Sequence, residues 1–509
     1  MTRALRLTLS ESRDLTIAEL AHAAKDSSTQ IEIQEDTLRR LDAGFAAACE
    51  SVKGKTVYGV STGLGPMLEH RVATETSSEM QLNLVRSHAA GLGAPLSPQI
   101  SRATMLARLH SFTRNRSAVR AELASHMAAL LNARIGPYIP RKGGVGASGD
   151  LVQLAHLALL IVGEGDCWLG DAKTATRDAL NAAGLASLQL RFRDGLALIN
   201  GLSVSVALSA FVCVDAAGLF ELAVALSCLL AEVLDANPQA YAEEMHAVKR
   251  HAAQREVAGL MRAHLHDAHF SDAPRTGFRL QAPYSVRCAP QLLGPMFDAL
   301  SFAERVTADE LNSVSDNPIF EPVTGEALHG GNFHGEALSL AMDTLKIAIV
   351  KCSLLMERQL ELLLNDSVNG TLPPFANFGR LGVDLGLQGT QFTAVSTAAE
   401  NQTLGFPMSL HSISCNKGNQ DVVSMSANAA QLAMATIDNA FDVAAVLTTA
   451  LSQSVEAVCA HDRLSSASRA IVTRVRRHAP ILHNDASTAG SLAELSKALR
   501  HGLATVCSR

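Results

Sequence analysis

The chain has 509 residues, 48% hydrophobic and 18% charged, with a formal net charge of −6, so it can bury a large core and gives no reason to expect nucleic acid or an anionic membrane as partner. Aromatic residues make up only 4%, with a single tryptophan, and the weight of alanine and leucine favours helices over sheets. Nine cysteines, without CxxC pairs or metal-ligand spacing, fit reduced thiols in a cytoplasmic protein rather than a disulfide framework.

The N-terminal residues up to Leu9 lack a basic-then-apolar leader layout, and their alternation predicts a short strand. A helix is expected from Glu35 to Lys53, and then the loop Tyr58-Gly-Val-Ser-Thr-Gly-Leu-Gly65. Ser87-His-Ala-Ala-Gly91 follows a short apolar helical segment. A helical pattern runs from about Thr104 to Asn132, and Pro137 and Pro140 punctuate the approach to Lys142-Gly-Gly-Val-Gly-Ala-Ser-Gly-Asp150. Asp150 opens an apolar helix as an acidic cap, with its amide end facing the glycine-rich turn. Trp168 to Arg193 reads as a hairpin-and-helix excursion. The longest apolar stretch, Leu202 to Leu234, is interrupted by Asp215, Glu221 and Glu232, which makes it a core helix and not a membrane span. Ser339 to Asn365 and Asp421 to Ala460 predict two more long helices, the second buried in a bundle because its charge is sparse all round. The expected fold is mainly α, with a small N-terminal α/β region carrying the glycine-rich turn (residues 1–199), a central long-helix bundle (200–470) and a C-terminal helical segment (471–509).

Ala147-Ser148-Gly149 can do chemistry on its own backbone. Attack of the Gly149 amide nitrogen on the Ala147 carbonyl closes a five-membered ring, and loss of two waters turns the Ser148 side chain into an exocyclic methylene. The product, a 4-methylidene-imidazol-5-one, is an electrophile that no unmodified side chain supplies. Closure needs a close backbone approach, which a Cβ at position 149 would hinder. The tripeptide alone is equally a helix-start turn. The stretch does not fit a phosphate loop, because no lysine follows the last glycine. No histidine pair with a flanking glutamate has helical metal-ligand spacing, so no metal site is expected.

Further motifs follow. Leu198-Ile-Asn200-Gly201 ends an apolar run, where Asn-Gly is also an ordinary turn signal. Gln281-Ala-Pro-Tyr284-Ser-Val-Arg287, Gly331-Asn-Phe333-His-Gly335 and Ser414-Cys-Asn-Lys-Gly-Asn-Gln420-Asp-Val-Val-Ser-Met425 come later. Taken singly, Tyr58 could be a turn tyrosine packing on the core, Arg287 a surface ion-pair residue and His334 a structural histidine.

In this order, with the Ala-Ser-Gly turn, the motifs resemble the aromatic amino acid ammonia-lyase and aminomutase family from about Tyr58 to Met425. The resemblance implies an enzyme, a carbon–nitrogen lyase, whose only cofactor is the ring formed from Ala147, Ser148 and Gly149. It implies that the methylene takes up the substrate amine and that Tyr58 removes a β-proton, with a lowered pKa. Asn200 and Tyr284 would act beside the electrophile and Gln281 would hydrogen-bond nearby. Arg287 would clamp the substrate carboxylate in a bidentate fork, and Phe333 would pack on the aromatic plane. It also implies a homotetramer with shared active sites.

The substrate signature is mixed. Ser87-His88 matches histidine ammonia-lyases, where phenylalanine-type enzymes are apolar at His88. Gln420 stands where histidine enzymes have glutamate, and Gln388 where they have methionine and phenylalanine enzymes lysine. The best reading is L-histidine converted to trans-urocanate. The alternatives are a phenylalanine- or tyrosine-type lyase, an aromatic 2,3-aminomutase that shares every catalytic residue, and, more remotely, a non-catalytic oligomeric relative.

Overall fold

A computed structural model describes residues 5–272, 275 and 277–503. As expected of its composition, the fold is mainly α, 60% helical. It divides into two compact units, each discontinuous in sequence. The first comprises Met1–Val214, Ala303–Asp343 and Pro407–Gln431; the second comprises Asp215–Phe302, Thr344–Phe406 and Leu432–Arg509. The predicted segment 200–470 thus contributes to both.

The first unit holds the sheets found among the described residues, all small. Arg6–Leu9 pairs in parallel with Gln30–Ile33, and Leu92–Pro95 pairs antiparallel with Pro140–Lys142. Ile135–Pro137, Asp166–Leu169 and Ala172–Ala175 form a three-stranded sheet, whose hairpin and the helix Thr176–Ala183 match the expected excursion. The helical pattern expected over 104–132 is two helices, Pro98–Thr113 and Ala121–Asn132. Between them Asn115 and Ala118 adopt positive φ, and the Arg116 carbonyl accepts the Phe320 amide at 2.8 Å. Tertiary hydrogen bonding therefore overrides helix propensity there. Pro98–Thr113 is buried on every side from Ile100 onwards, so it carries its polar residues into the core, where each must find partners.

The long helices run Ser203–Val233, Ala289–Leu311, Glu336–Leu364 and Ser426–Ala457. The most apolar stretch, ending at Val233, is 94% buried, which makes it a core helix. In the second unit polar contacts fix helix register inside apolar surfaces. Gln359 donates to Ser227 Oγ and to the Ser285 carbonyl, both at 2.9 Å. Tyr241 donates its hydroxyl to the Val286 carbonyl at 3.0 Å, and Arg500, on the helix Ala489–Arg500, pairs with Asp215 and Asp438.

Candidate active site

The first unit contains a cavity of about 650 Å³ lined by Tyr58, Ser87, His88, Ser148, Asn200, Phe333 and Gln420 among others. Seven of the residues singled out in the sequence thus share one site, though they are spread over more than 360 positions of the chain.

The glycine-rich turn is gripped on both sides. Asn200, at the C-terminal end of the short helix Asp194–Ile199, donates Nδ2 to the Ser148 carbonyl at 2.8 Å. Gln420 donates Nε2 to Ser148 Oγ at 2.7 Å, and its own amide oxygen accepts from Cys415 Sγ at 3.2 Å. The Gly146 carbonyl accepts from the Gly335 amide at 3.0 Å and from Ser424 Oγ at 2.9 Å. Gly149 has φ +72°, and a Cβ there would lie 2.2 Å from the Gly201 carbonyl oxygen. Gly149→Ala is therefore expected to destabilise the protein by about 1–3 kcal/mol or more, from backbone strain plus the clash. A shift in the urea unfolding midpoint would measure it, and an unchanged midpoint would refute this account of the turn.

Asp150 sits at the cap of Leu151–Val162, but its side chain makes no cap hydrogen bond. The carboxylate instead accepts from the Ser205 amide at 2.8 Å and from Ser205 Oγ at 2.7 Å. Its own amide is held by the Gly201 carbonyl at 2.7 Å, which ties it to the Asn200 loop. Complete burial pushes the Asp150 carboxyl up to about 6, against the opposing pull of the Ser205 bonds.

Tyr58 receives the Gly65 amide on its hydroxyl oxygen at 3.0 Å. Gly65 has φ +53°, so the loop glycine allows a backbone donor to fold back onto the phenol. His88 Nδ1 lies 2.9 Å from the Leu84 carbonyl. A carbonyl only accepts, so Nδ1 carries the proton, and in the neutral ring Nε2 is left as an acceptor. The Asn200 Oδ1 atom is buried and has no partner among the described residues. His334 bonds the Val422 carbonyl at 3.1 Å, in keeping with a structural role.

The other predicted residues belong to the second unit. Tyr284 and Arg287 bound one helical turn. The Arg287 guanidinium carbon lies 4.7 Å from the Tyr284 ring centroid, Arg287 Nε is buried without a partner among the described residues, and Tyr284 is 68% exposed. Gln281 is exposed, and Gln388 is half-buried at the first position of Gln388–Leu404.

Several lining residues were not anticipated. Asn416 and Asn419 lie within the motif that supplied Gln420, so proximity in sequence was an available signal. Asn317, Asn83 and His70 also line the cavity without a motif to mark them. Arg108, fully buried, donates Nε to the Ala197 carbonyl and Nη2 to the Asn200 carbonyl, both at 2.9 Å, and so holds the Asn200 loop from behind. An arginine inside a helical pattern reads as a surface residue, so no local signal points to it.

The family model for aromatic amino acid lyases matches residues 15–477. A histidine ammonia-lyase of Caldanaerobacter subterraneus subsp. tengcongensis is 34% identical over 88% of this chain and 87% of its own. A tyrosine ammonia-lyase of Cupriavidus metallidurans is 36% identical over 88% of this chain and 87% of its own. Among solved structures, a tyrosine aminomutase from Streptomyces globisporus superposes with a TM-score of 0.93 at 32% identity, covering 98% of both chains. The cavity, its gripped Ala-Ser-Gly turn and these likenesses together make the chain a member of the aromatic amino acid ammonia-lyase and aminomutase family, an enzyme of the carbon–nitrogen lyase class.

Proposed function

We propose that this enzyme is an ammonia-lyase acting on an aromatic amino acid whose ring carries an N–H or O–H donor, with L-histidine to trans-urocanate as first choice. The observation that carries this reading is His88. Its Nδ1 proton is committed to the Leu84 carbonyl, so Nε2 is an acceptor on a side chain that lines the cavity. An imidazole N–H satisfies that acceptor and a phenyl ring does not. The tyrosine phenol satisfies it as well, which makes a tyrosine-directed lyase or 2,3-aminomutase the second reading.

The residues of the turn fit a self-formed 4-methylidene-imidazol-5-one. Gly149 has no Cβ to obstruct the approach, and Asn200 and Gln420 donate to the Ser148 carbonyl and hydroxyl oxygens. Once formed, that group supplies the electrophile that makes the substrate amine a better leaving group. The chain's own residues do the rest. Asn200 keeps the turn carbonyl polarised, and its free Oδ1 accepts from the substrate ammonium. Tyr58, whose oxygen is positioned by the Gly65 amide, takes the β-proton. Phe333 packs on the ring. Arg287 holds the carboxylate, with Tyr284, Gln281 and Gln388 completing the site in a cytoplasmic homotetramer with shared active sites. In support, the second unit presents the exposed apolar side chains of Phe392 and Val395 as well as Tyr284.

The test is a substrate panel of histidine, tyrosine and phenylalanine, with chromatographic detection of both alkenoate and β-amino acid. Histidine turnover to urocanate is expected. With phenylalanine bound, the acceptor of the half-buried His88 would be covered and left unpaired, which disfavours that substrate by about 1–3 kcal/mol, or roughly 10-fold or more. Tyrosine as sole substrate would establish the second reading, and β-amino acid would establish the aminomutase. His88→Leu should move preference towards phenylalanine, and Gln420→Glu should tighten histidine binding by restoring a charged partner to the imidazole. Wild-type preference for phenylalanine, unmoved by His88→Leu, would refute the assignment of the pocket.

A further inference from the structure

A second cavity of the first unit, about 190 Å³ in volume, shares no lining residue with the first. Three cations meet in its walls: Lys25 at the end of the helix Ile17–Lys25, Arg102 on Pro98–Thr113, and Arg134 just after Ala121–Asn132. Trp168 forms another wall, and Ser27 and Gln99 add neutral polar groups.

The charges in this cavity do not balance. Arg102 is only 6% exposed, yet its guanidinium bonds are all to neutral carbonyls, of Ala23, Leu131 and Thr29. No ion pair reaches Arg102, Arg134 or Lys25 among the described residues; Lys25 lies 5.3 Å over the Phe211 ring instead. Burial lowers the Arg102 pKa; Asp26 opposes that, and the neighbouring charge of Arg134 adds to it. Asp26 is itself occupied, accepting from Ser28 and Thr29. The one carboxylate in the walls, Asp171, is exposed and forms no ion pair among the described residues. Arg134 also sits at φ +59°, held there by the Gly170 amide on its carbonyl at 2.9 Å. A side chain in the left-handed region persists only where the surroundings impose it. Lys25 and Arg134 are exposed, so water screens their charges, but an anion seated between them would meet two cations unpaired among the described residues, in the field of the buried Arg102. The Trp168 indole Nε1 is buried with no partner among the described residues.

We propose that this cavity binds a small oxyanion, a carboxylate or phosphate, held by Lys25 and Arg134 in the field of Arg102 and flanked by the Trp168 indole. Its volume of about 190 Å³ suits an anion the size of inorganic phosphate or a four-carbon dicarboxylate. The inference is independent of the lyase substrate.

Trp168 is the only tryptophan in the chain, so intrinsic tryptophan fluorescence reports on this site alone. The full-length enzyme, at low ionic strength, is titrated with inorganic phosphate and separately with succinate. A saturable emission change is expected with at least one; the anion that produces it identifies the source, and a response to both assigns the shared oxyanion chemistry. The Lys25→Ala/Arg134→Ala double variant should weaken binding about tenfold or more, on the scale of lost charge-assisted hydrogen bonds. The milder Arg134→Gln should weaken it less, and Asp171→Asn should tighten it. If the double variant fails to give a native circular dichroism spectrum, Arg134→Gln and Asp171→Asn carry the test. The proposal is overturned by no saturable change with either anion, by equal dissociation constants across the variants, or by an identical response to chloride.

Discussion

Ser148→Ala should reduce turnover by roughly 10³-fold or more, the scale seen when a covalent group is removed from an active site. A methyl cannot lose water to become the methylene, so the proposed electrophile cannot form. The fold should survive. What Ser148 Oγ does in the structure is accept one hydrogen bond from Gln420, a loss of about 1 kcal/mol at a half-buried group. Intact mass distinguishes the electrophile from any other role of the serine. The parent should be lighter than its sequence mass by two waters, and Ser148→Ala should match its own sequence mass. Borohydride should change the ultraviolet spectrum of the parent and leave that of the variant unaltered. An active variant with unaltered helix content would remove the self-formed electrophile from the mechanism.

Much of this site can be read from the linear sequence because its chemistry sits in short motifs. Tyr58, Asn200 and Gln420 each stand beside glycines or within a polar run; singly they read as turn residues, and the ordered set of motifs is what marks them. Helices of the core were legible for a related reason: periodicity and sparse charge show burial directly, as in Ser203–Val233. What could not be read is what holds those motifs together. Arg108 donates to carbonyls 89 and 92 positions further along the chain, a relation without local signature. Asp150 is another case. Its place at a helix start suggests a cap, but the approach of Gly201 to the turn diverts its carboxylate to Ser205, 55 residues away. The break after Thr113 has the same origin, since the carbonyls of Arg116 and Ser117 are needed by Phe320 and Arg193. Local propensity loses wherever a buried polar group has only a distant partner.

Asp316→Asn should be among the most destabilising single changes in the first unit. Asp316 is buried and accepts two hydrogen bonds from Arg193, at 2.7 and 2.8 Å, and Arg193 also donates to the Ser117 carbonyl at 2.6 Å. Arg108 lies 4.0 Å from the same carboxylate. Burial pushes Arg108 down to about 10, and Asp316 is the first of the charges opposing that fall. Two fully buried guanidiniums therefore lean on this carboxylate, with Asp150 a further opposing charge for Arg108. Removing one partner from such a set costs about 3–5 kcal/mol, whereas replacing a buried ion pair with apolar residues of similar volume is often neutral. The paired change Arg193→Met/Asp316→Leu should consequently be less damaging than Asp316→Asn alone, although Arg108 still loses its counter-charge. The consequences reach the candidate active site, because Asn317 lines its cavity and Arg108 holds the Asn200 carbonyl. In Asp316→Asn protein that still folds, the proposed role of Asn200, whose Nδ2 donates to the Ser148 carbonyl, predicts that kcat falls more than KM rises. Urea midpoints of the single and paired variants, with the kinetics of whichever remain soluble, test both parts. A single variant as stable as the parent would show that the two guanidiniums are neutralised by something other than Asp316.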